Sequence, residues 1–439
     1  MTKTQPKVVI VGGGFAGLNA ARKLARVPVQ VTLIDRKNHH TFQPLLYQVA
    51  TAGLSPGDIA SPIRRVLRNA RNVEVLMGEV MGFDLEHRRV RLRDFSLNYD
   101  YLIVAAGATH SYFGHDDWEQ HAPGLKTIED ATEIRRRVLL AYESAEREAV
   151  CCGKHEQLNI VVIGAGPTGV ELAGTLAEIA RKSLAEDFRH IDPSRTRILL
   201  VEMGPRVLPQ YPEDLSASAK EQLENLGVEV RTSTAVTSVD EYGVRFGTEF
   251  LPAEVVLWAA GVAASPLGRA LGVPTDKKGL VLVEPDLSVP GHPEVFVIGD
   301  LASAKDENGR PLPGLAPVAI QQGRYVARTI AHDIRGKTRE PFRYFDKGTL
   351  ATIGRAAAVG EIGKWKVTGV VAWLAWLFIH LLYLVGFRNR VLVMIQWAWS
   401  YFTYDRSARL ITGEAEHILE ERDQQESPAP VETSGPQAA

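Results

Sequence analysis

Two glycine-rich segments constrain the fold of this chain more than any other feature of its sequence. The first reads KVVIVGGGFAGLNAARKL, and the second reads NIVVIGAGPTGVELAGTL. Each opens with a β-branched run that is typical of a buried parallel strand and continues into residues that favour a helix. Gly-x-Gly-x-x-Gly in this position predicts a Rossmann-like unit that binds a dinucleotide. Two such units predict an α/β protein.

The glycines of each segment have distinct predicted roles. The first allows the tight turn, the second lets a pyrophosphate approach the backbone, and the third permits close packing of helix on strand. They are Gly12, Gly14 and Gly17 in the first copy and Gly164, Gly166 and Gly169 in the second. An acidic residue ends the next predicted strand in each copy, Asp35 or Glu202, and is expected to bind ribose hydroxyls. A helix over about 168–188 and the loop DPSRT would account for the long interval before Glu202.

Two further segments match each other and indicate an internal duplication. YLIVAAGA contains Gly107, and VVLWAAGV contains Gly261. Gly107 and Gly261 are 154 residues apart, whereas Gly12 and Gly164 are 152 apart. Two unrelated pairs of turns are not expected to have such similar separations. Gly107 and Gly261 are therefore added to the predicted nucleotide-binding residues, and residues 129–150 are predicted to be a connecting helix.

Composition excludes several classes of protein. With 439 residues, 45% of them apolar and 23% charged, the chain is expected to form two or three globular domains. A formal net charge of -2 gives no reason to expect nucleic acid, and no metal site is predicted. The adjacent Cys151 and Cys152 are the only cysteines, which excludes a disulfide framework and favours a reducing compartment. Because the first predicted strand begins almost at once, no signal peptide is expected.

The apolar stretch at 369–402 needs a different explanation. Residues 369–385 are slightly short for a membrane span, which takes about 20 residues, and 391–402 are shorter still. Tryptophans and tyrosines in the stretch suit a headgroup boundary. Basic residues that could meet anionic lipids are Lys364, Lys366, Arg388, Arg390, Arg406 and Arg409. We predict amphipathic helices lying as a hairpin in one leaflet; a single spanning helix and a protein-buried or dimer-forming pair are the alternatives.

The segments IDRKNHHTFQPLLYQVAT, GVELAGTLAE, VFVIGD and FDKGTLATIG resemble those of type II NADH dehydrogenases, the non-pumping NADH:quinone oxidoreductases. The resemblance covers roughly residues 6 to 410. It implies FAD in the first unit, NADH as substrate in the second, and Gly299 and Asp300 closing on the flavin's ribityl and phosphate portion. The FAD domain would then be discontinuous, with the NADH domain inserted into it. The implied divisions are 1–128 with 285–340 for FAD, 155–284 for NADH, 341–410 for quinone and membrane, and a disordered tail at 423–439.

The same resemblance implies site residues. Gln321 matches a glutamine that borders the quinone tunnel, and Gln322 could compensate for Pro317, which replaces the family's first glutamine. Lys347 matches a lysine near the flavin and the quinone entrance. Glu171 matches a glutamate that passes protons. Each residue also has a simpler interpretation. The glutamines could be helix-surface residues, Lys347 a solvated surface lysine, and Glu171 a residue that interacts favourably with the helix dipole.

The resemblance also implies partners and a location. The acceptor would be a membrane quinone, ubiquinone or menaquinone, and the chain would be a homodimer bound peripherally to the cytoplasmic face of the inner membrane through 369–402. Glu202 disfavours the 2′-phosphate of NADPH, although Arg206 is close in sequence. Two other functions are left open. One is a soluble NADH-dependent ferredoxin or rubredoxin reductase, and the other is a redox-sensing interaction protein that binds FAD and NADH.

Overall fold

The computed structural model describes residues 5–403, 406 and 408–412. The tail predicted at 423–439 lies outside these residues. The α-helices are α1 (Phe15–Leu24), α2 (Leu46–Ala50), α3 (Pro56–Ile59), α4 (Ile63–Val66), α5 (Ile128–Cys152), α6 (Pro167–Glu178), α7 (Glu213–Asn225), α8 (Leu267–Ala270), α9 (Ala316–Asp333), α10 (Gly369–Tyr383) and α11 (Phe387–Thr403).

The strands form two large sheets and several small ones. They are β1 (Lys7–Val11), β2 (Gln30–Asp35), β3 (His39–Thr41), β4 (Ala60–Pro62), β5 (Val73–Met77), β6 (Val80–Asp84), β7 (Arg89–Leu92), β8 (Ser96–Asn98), β9 (Tyr101–Val104), β10 (Ala108–His110), β11 (Asn159–Ile163), β12 (Arg197–Val201), β13 (Val228–Arg231), β14 (Ser238–Asp240), β15 (Gly243–Phe246), β16 (Glu249–Pro252), β17 (Val255–Trp258), β18 (Val262–Ala264), β19 (Val281–Leu282), β20 (Ser288–Val289), β21 (His292–Val297), β22 (Ala302–Ser303), β23 (Thr349–Gly354), β24 (Ala357–Ile362) and β25 (Trp365–Thr368).

The two large sheets repeat one arrangement. The first has the order β20-β21-β9-β1-β2-β5 and is parallel except for β20. The second has the order β13-β12-β11-β17 and is parallel throughout. In each sheet a central strand, β1 or β11, precedes a glycine turn and pairs with the next strand on one side and with β9 or β17 on the other. This topology confirms the α/β fold with two Rossmann-like units.

The second sheet lies within an interruption of the first. Strand β21 pairs with β9, so the chain between them leaves the first sheet and returns to its neighbouring strand. The ribbon β10–β18 joins the two units a second time. Helix α5 connects them along the chain, and it begins with a capping box in which Thr127 and Asp130 satisfy each other's backbone N–H groups. The predicted connecting helix at 129–150 is therefore confirmed.

The predicted helix over 168–188 is shorter than expected. Helix α6 ends at Glu178, and a π turn follows over Ile179–Ser183. The N–H group of Leu184 bonds to the carbonyl of Ile179, five residues back, which widens the helix and ends it.

A small antiparallel sheet, β23-β24-β25, packs on α6 and leads into α10 and α11. The residues FRNR lie between the two apolar runs 369–385 and 391–402, and in the structure they form the first turn of α11. Asn389 anchors this turn, because its Nδ2 donates to the carbonyls of Gly57 and Ala60 at 3.2 and 3.3 Å. Across the described part of the chain, no helix combines the length and the apolar composition that crossing a bilayer requires.

Helices α10 and α11 have apolar faces on the outside. Ala372 and Trp376 of α10 and Val393 of α11 are buried against the body. The opposite faces carry large exposed side chains at helical spacing, which are Val370, Val371, Leu374, Phe378 and Leu382 on α10 and Phe387, Met394, Ile395, Trp399 and Phe402 on α11. An outward apolar surface of this size indicates contact with something other than water.

Three of the six basic residues expected to meet lipids form ion pairs with acidic residues of the chain. Arg406 pairs with Glu178 at 3.0 Å, and Arg409 pairs with Asp187 at 3.2 Å. Lys366 pairs with Asp214 at 2.8 Å. The first two arginines hold the segment after α11 against the body, so the sequence-based expectation for them is corrected.

The contact between α6 and β23 depends on one glycine. A Cβ added at Gly174 would lie 1.7 Å from the carbonyl oxygen of Ile353. Gly174→Ala is therefore expected to separate α6 from β23 and to lower the free energy of unfolding by about 1–3 kcal/mol or more. Urea unfolding followed by circular dichroism measures this change. Gly57→Ala is the control, because a Cβ there meets open space; equal midpoints for the two variants would contradict the prediction.

Candidate active site

Both glycine turns have the geometry that their sequence predicts. Gly12 has φ +103°, and a Cβ there would lie 2.3 Å from the carbonyl oxygen of Ala105. Gly164 has φ +100°, and a Cβ there would lie 2.5 Å from the Cα of Ala260. The turns therefore require glycine twice over, because the backbone is left-handed and because the next strand end lies against them.

The remaining glycines of the first turn occupy the same structural positions as those of the second. A Cβ at Gly17 would meet the carbonyl oxygen of Gly12 at 1.9 Å, and one at Gly169 would meet that of Gly164 at 1.8 Å. Gly14 and Gly166 are the N-cap residues of α1 and α6, and a Cβ at either would have no neighbour within 4 Å. The backbone at each helix start therefore borders open space, as the binding of a pyrophosphate to its free N–H groups requires.

The two acidic residues hold the glycine loops in the same way. Asp35 Oδ2 accepts from the N–H of Gly13 at 2.5 Å. Glu202 Oε2 accepts from the N–H of Ala165 at 2.7 Å, and its Oε1 accepts from Gly204 at 2.8 Å. Each carboxylate therefore lies at the loop where the ribose next to a bound pyrophosphate would lie. The same contact between a carboxylate and the glycine loop therefore occurs in both units.

Replacing Glu202 by alanine tests the ribose contact in the second unit. Loss of hydrogen bonds to a charged acceptor costs about 1.5–3 kcal/mol. Glu202→Ala is therefore expected to raise the KM for NADH by roughly 10-fold or more while flavin stays bound. Steady-state kinetics and the flavin absorbance of the purified variant measure both quantities, with the exposed Glu241→Ala as control. Loss of flavin from Glu202→Ala would reverse the assignment of the two units.

His40 provides an unfilled hydrogen-bonding position beside the first glycine turn. The ring is 2% exposed, and its Nδ1 lies 3.0 Å from the carbonyl oxygen of Gly13. With Nδ1 donating to that carbonyl, Nε2 is a bare acceptor, and it has no partner among the described residues. Burial lowers the pKa of His40, which keeps the ring neutral. A hydroxyl donor of a bound cofactor would satisfy Nε2, so this turn fits a dinucleotide such as FAD.

Gly107 and Gly261 follow the corresponding strands β9 and β17. Gly107 has φ +68°, and a Cβ at Gly261 would lie 2.7 Å from the ring of Phe113. Gly299 has φ +74°, and its N–H donates to Oε1 of Gln322 at 2.6 Å. Gln322 is 1% exposed, so its amide oxygen supports the Gly299 turn.

Asp300 lies beside Gly314, just before α9, and two other predicted site residues lie on α9 (Gln321) and in the loop that Gln321 contacts (Lys347). Burial raises the pKa of Asp300, and the nearby Lys126 partly offsets that rise. Gln321 is half-buried, and its amide bonds to both the N–H and the carbonyl of Phe345 at 3.0 and 2.9 Å. Lys347 is exposed, and its Nζ lies 2.9 Å from the hydroxyl of Tyr383 at the end of α10. Gln321 and Lys347 therefore connect the 345–347 loop to α9 and to α10.

Glu171 has the most perturbed carboxyl of the predicted site. It lies in the first turns of α6, where burial raises its pKa to about 8 against a partly offsetting hydrogen bond with the main chain of Thr352. Tyr47 and Tyr211 lie close enough for Glu171 to raise the pKa of both phenols further, although burial is the larger cause in each. Glu171 is therefore largely protonated at neutral pH. A carboxylic acid held in this state can donate a proton.

A cavity next to Glu171 reaches the two C-terminal helices. We call it the hairpin cavity; it encloses about 750 Å³, part of it open to solvent. Its walls include Tyr47, Thr175, Thr352, Trp376 and Trp397. Trp397 Nε1 donates to Oε1 of Gln48 at 2.7 Å, whereas Nε1 of the buried Trp376 has no partner among the residues described.

Tyr47, Thr352 and Trp376 were not predicted as site residues from the sequence. Tyr47 lies within the segment IDRKNHHTFQPLLYQVAT, which carried the family resemblance, so that segment held a signal for it. Thr352 lies within FDKGTLATIG, another segment that carried the resemblance, whereas nothing in the local sequence of Trp376 indicates that it lines this cavity. Its place at the cavity follows from tertiary packing alone.

Comparison with known proteins agrees with this geometry. The model of the pyridine nucleotide-disulphide oxidoreductase family matches residues 6–323, and that of the NDH2 C-terminal domain matches residues 347–404. The type II NADH:quinone oxidoreductase NdhA of Mycobacterium tuberculosis is 46% identical over 426 residues, 93% of this chain and 90% of the relative. The type II NADH:quinone oxidoreductase of Staphylococcus haemolyticus is 31% identical over 84% of this chain and 92% of its own.

Among solved structures, NDH2 from Plasmodium falciparum in complex with NADH has the same fold. Its TM-score is 0.83 at 21% identity, over 93% of this chain and 100% of that one. The sequence resemblance is thereby confirmed at the level of family and fold. The chain belongs to the pyridine nucleotide-disulphide oxidoreductase family and, within it, to the type II NADH:quinone oxidoreductases.

Proposed function

We propose that this chain oxidises NADH and reduces a membrane quinone through a bound FAD at the surface of a lipid bilayer. The observation that carries the proposal is the position of Glu171. Its carboxyl, with a pKa of about 8, lies between a dinucleotide turn and a cavity that leads to the outward-apolar helices α10 and α11. A nucleotide-binding unit and a lipid-facing surface therefore meet at one proton donor.

The first unit binds FAD and the second binds NADH. Residues 1–128 and 285–340 form the FAD domain, 155–284 the NADH domain, and 341–410 the quinone and membrane region. The pairing of β21 with β9 supports this division, because it returns the chain to the first sheet after the second unit. Bound FAD supplies the chemistry that accepts a hydride from NADH and passes two electrons to a quinone.

The chain's own residues position the reactants and handle the protons. Asp35 and Glu202 hold the two glycine loops open for pyrophosphate and orient the riboses. Glu171 donates a proton when the quinone is reduced, a step that consumes two protons. Gln321 and Lys347 fix the 345–347 loop at the quinone entrance, and Lys347 brings a positive charge there. The site residues predicted from the sequence keep these roles as proposals.

The quinone reaches Glu171 through the hairpin cavity. Its aromatic walls suit a flat ring. The N–H group at Nε1 of Trp376 has no acceptor among the described residues, and we propose that it binds a quinone carbonyl oxygen. Tyr47 and Thr352, which line the cavity, also interact with Glu171, so the carboxyl lies directly behind the cavity wall.

The outward faces of α10 and α11 bind the lipid surface as a monotopic hairpin. Exposed large apolar side chains lower their free energy by leaving water for the acyl boundary. Lys364 and Arg388 are exposed and remain available to anionic headgroups, whereas the half-buried Arg390 donates from Nε to the carbonyl of Leu384 at 2.8 Å. The enzyme lies on the cytoplasmic face of the inner membrane, where NADH is produced. A homodimer, and the choice between ubiquinone and menaquinone, stay predictions.

Anaerobic titration of the purified protein tests the proposed function. NADH is expected to bleach the absorbance of the bound flavin with one NADH per flavin, and one quinone per flavin should restore it. Ferredoxin or rubredoxin is the control acceptor and should restore it far more slowly. Rapid reoxidation by the protein carriers, or purified protein without flavin, would contradict the proposal.

A further inference from the structure

Positive charge is concentrated in one part of this chain. Residues 22–71 contain nine arginines and lysines and two acidic residues, although the whole chain has a formal net charge of -2. The two acids, Asp35 and Asp58, each accept from a backbone N–H group. We give the name arginine face to six arginines from α1, α4, α9 and the start of α11, which are Arg22, Arg64, Arg65, Arg324, Arg388 and Arg390.

Close packing of α9 on α1 brings two of these arginines together. A Cβ added at Gly323 would lie 2.1 Å from the carbonyl oxygen of Ala16, so the two helices are in backbone contact there. Arg324 is the next residue of α9, and its Nε donates to Oδ1 of Asn19 on α1 at 3.2 Å. Arg22 lies three residues after Asn19 and therefore on the same side of α1.

The turn that joins α10 to α11 extends the arginine face. Ser61 Oγ donates to the carbonyl of Val385 in this turn at 3.4 Å, and α4, with its two arginines, begins two residues after Ser61. Burial lowers the pKa of Arg22, and the positive charges of Arg324 and Arg390 lower it further. Arg22 therefore lies close enough to both of them for like charges to repel.

The six charges are not neutralised by acidic side chains. Over residues 5–403, 406 and 408–412, none of the six arginines forms an ion pair. Five of them are exposed, and the half-buried Arg390 bonds to a backbone carbonyl, which leaves its charge in place. Arg22 lies about 12 Å along α1 from Gly14, too far to contact a pyrophosphate at the glycine turn. A surface with this charge favours an anionic partner from outside the chain.

The arginine face adjoins the outward apolar faces of α10 and α11. Phe387, which is 82% exposed, begins α11 immediately before Arg388. When an amphipathic helix lies in a leaflet, its apolar side chains reach the acyl boundary and nearby cations meet the headgroups. We propose that the arginine face binds the phosphate groups of anionic phospholipids, so that the chain selects membranes rich in these lipids. The proposal rests on the docking of α10 and α11 proposed above and adds the class of lipid.

The arginine face would also fix how the first unit lies on the bilayer. Arg22, Arg64, Arg65 and Arg324 belong to this unit, whereas Arg388 and Arg390 belong to the membrane region. Headgroups bound by both groups of arginines would hold the first unit against the lipid surface. Insertion of α10 and α11 alone would not impose this orientation.

Flotation of the flavin-loaded, full-length protein with vesicles tests the lipid class. The vesicles are phosphatidylcholine with and without phosphatidylglycerol, and the natural chain should prefer the anionic ones. Each basic residue near such a surface strengthens binding about 5-fold, so Arg22→Gln combined with Arg324→Gln should weaken binding to anionic vesicles roughly 25-fold. Its binding to phosphatidylcholine alone should not change. Lys277→Gln combined with Lys278→Gln is the control, because it removes the same charge from an exposed loop before β19 and should bind as the natural chain does.

Salt and a second variant check the electrostatic origin of the preference. At about 1 M salt the screening length falls to about 3 Å, so the preference for anionic vesicles should disappear while binding to phosphatidylcholine persists. Arg64→Gln combined with Arg65→Gln should reproduce the loss from α4, and it replaces the first variant if that variant does not fold. Flavin absorbance and circular dichroism report whether each variant is folded.

Three results would overturn the proposal. In the first, the natural chain binds both kinds of vesicle equally, which leaves the docking of α10 and α11 intact. In the second, it prefers anionic vesicles, but both arginine variants bind them as well as the lysine control does. In the third, the arginine variants lose binding of a fluorescent DNA duplex and keep the vesicle preference, which would assign the face to nucleic acid. A natural chain that binds neither kind of vesicle would contradict the proposed function as well as this inference.

Discussion

Glu171→Gln is expected to slow quinone reduction about 100-fold while NADH still reduces the flavin at the natural rate. Glutamine keeps the size and a hydrogen bond but has no acidic proton, and general acids contribute factors of about 100 or more. Stopped-flow absorbance separates the two half-reactions, because NADH bleaches the flavin and quinone restores its colour. Glu241→Gln, an exposed acid of the second unit, is the control. Equal losses in both half-reactions would assign Glu171 to structure and not to proton donation.

The same carboxyl predicts how pH acts on the natural protein. The folded-state pKa of about 8 lies above the ordinary 4.5, because burial disfavours the charged form. Quinone reduction that needs the proton should therefore fall as pH rises through about 8, and Glu171→Gln should not show this fall. By linkage, the folded chain binds the proton more tightly, so the free energy of unfolding decreases between about pH 4.5 and 8. Glu171→Gln should lack this decrease as well.

Charging the outward face of α10 is expected to abolish attachment to lipid vesicles. Leu374, Phe378 and Leu382 lie one helical turn apart and are each more than half exposed. Burial of each in lipid contributes about 2 kcal/mol, so replacing all three by aspartate should weaken partitioning more than 1000-fold. Co-sedimentation with vesicles measures the bound fraction. NADH oxidation by a soluble short-chain quinone should persist, whereas oxidation by quinone held in the vesicles should be lost.

A matched control separates this surface from apolar exposure in general. Met81 is 56% exposed but lies on β6, in a small sheet of the first unit. Met81→Asp should leave vesicle binding unchanged. Two results would contradict the hairpin as the docking surface. In the first, the triple α10 variant sediments with vesicles as completely as the natural chain. In the second, Met81→Asp reduces vesicle binding as much as the triple variant does.

Local sequence was sufficient for the parts of the fold that depend on local rules. The two glycine turns, the strands before them and the connecting helix α5 could be predicted because hydrophobic periodicity and glycine spacing report them directly. The end of α6 could not, because a π turn depends on how Ile179 and Leu184 bond within the folded helix. The start of α11 could not be predicted either, because the helix begins at Phe387, ahead of the apolar run 391–402, where Asn389 anchors its first turn to the carbonyl of Gly57.

The sequence identified several candidate site residues, but it did not predict the surroundings of their side chains. Glu171 was found through family resemblance, but its raised pKa comes from burial against β23, which lies about 180 residues further along the chain. Gln322 was expected near the quinone, whereas its amide oxygen receives the N–H of Gly299. Arg406 and Arg409 were expected at lipid, and their acid partners on or after α6 could not be inferred from spacing. Contacts with residues that are distant in the sequence determine the environment of each of these side chains.

The adjacency of β9 and β21 determines the order in which the two sheets can be completed during translation. The first sheet lacks β21 until Val297 has left the ribosome, and the edge of β9 stays unpaired until then. All strands of the second sheet, which ends with β17, are available some forty residues earlier. Although it comes second along the chain, the inserted unit is therefore expected to complete its sheet first. A nascent chain stalled once Trp258 has emerged from the ribosome would have a complete second sheet, whereas the first sheet would still lack β21.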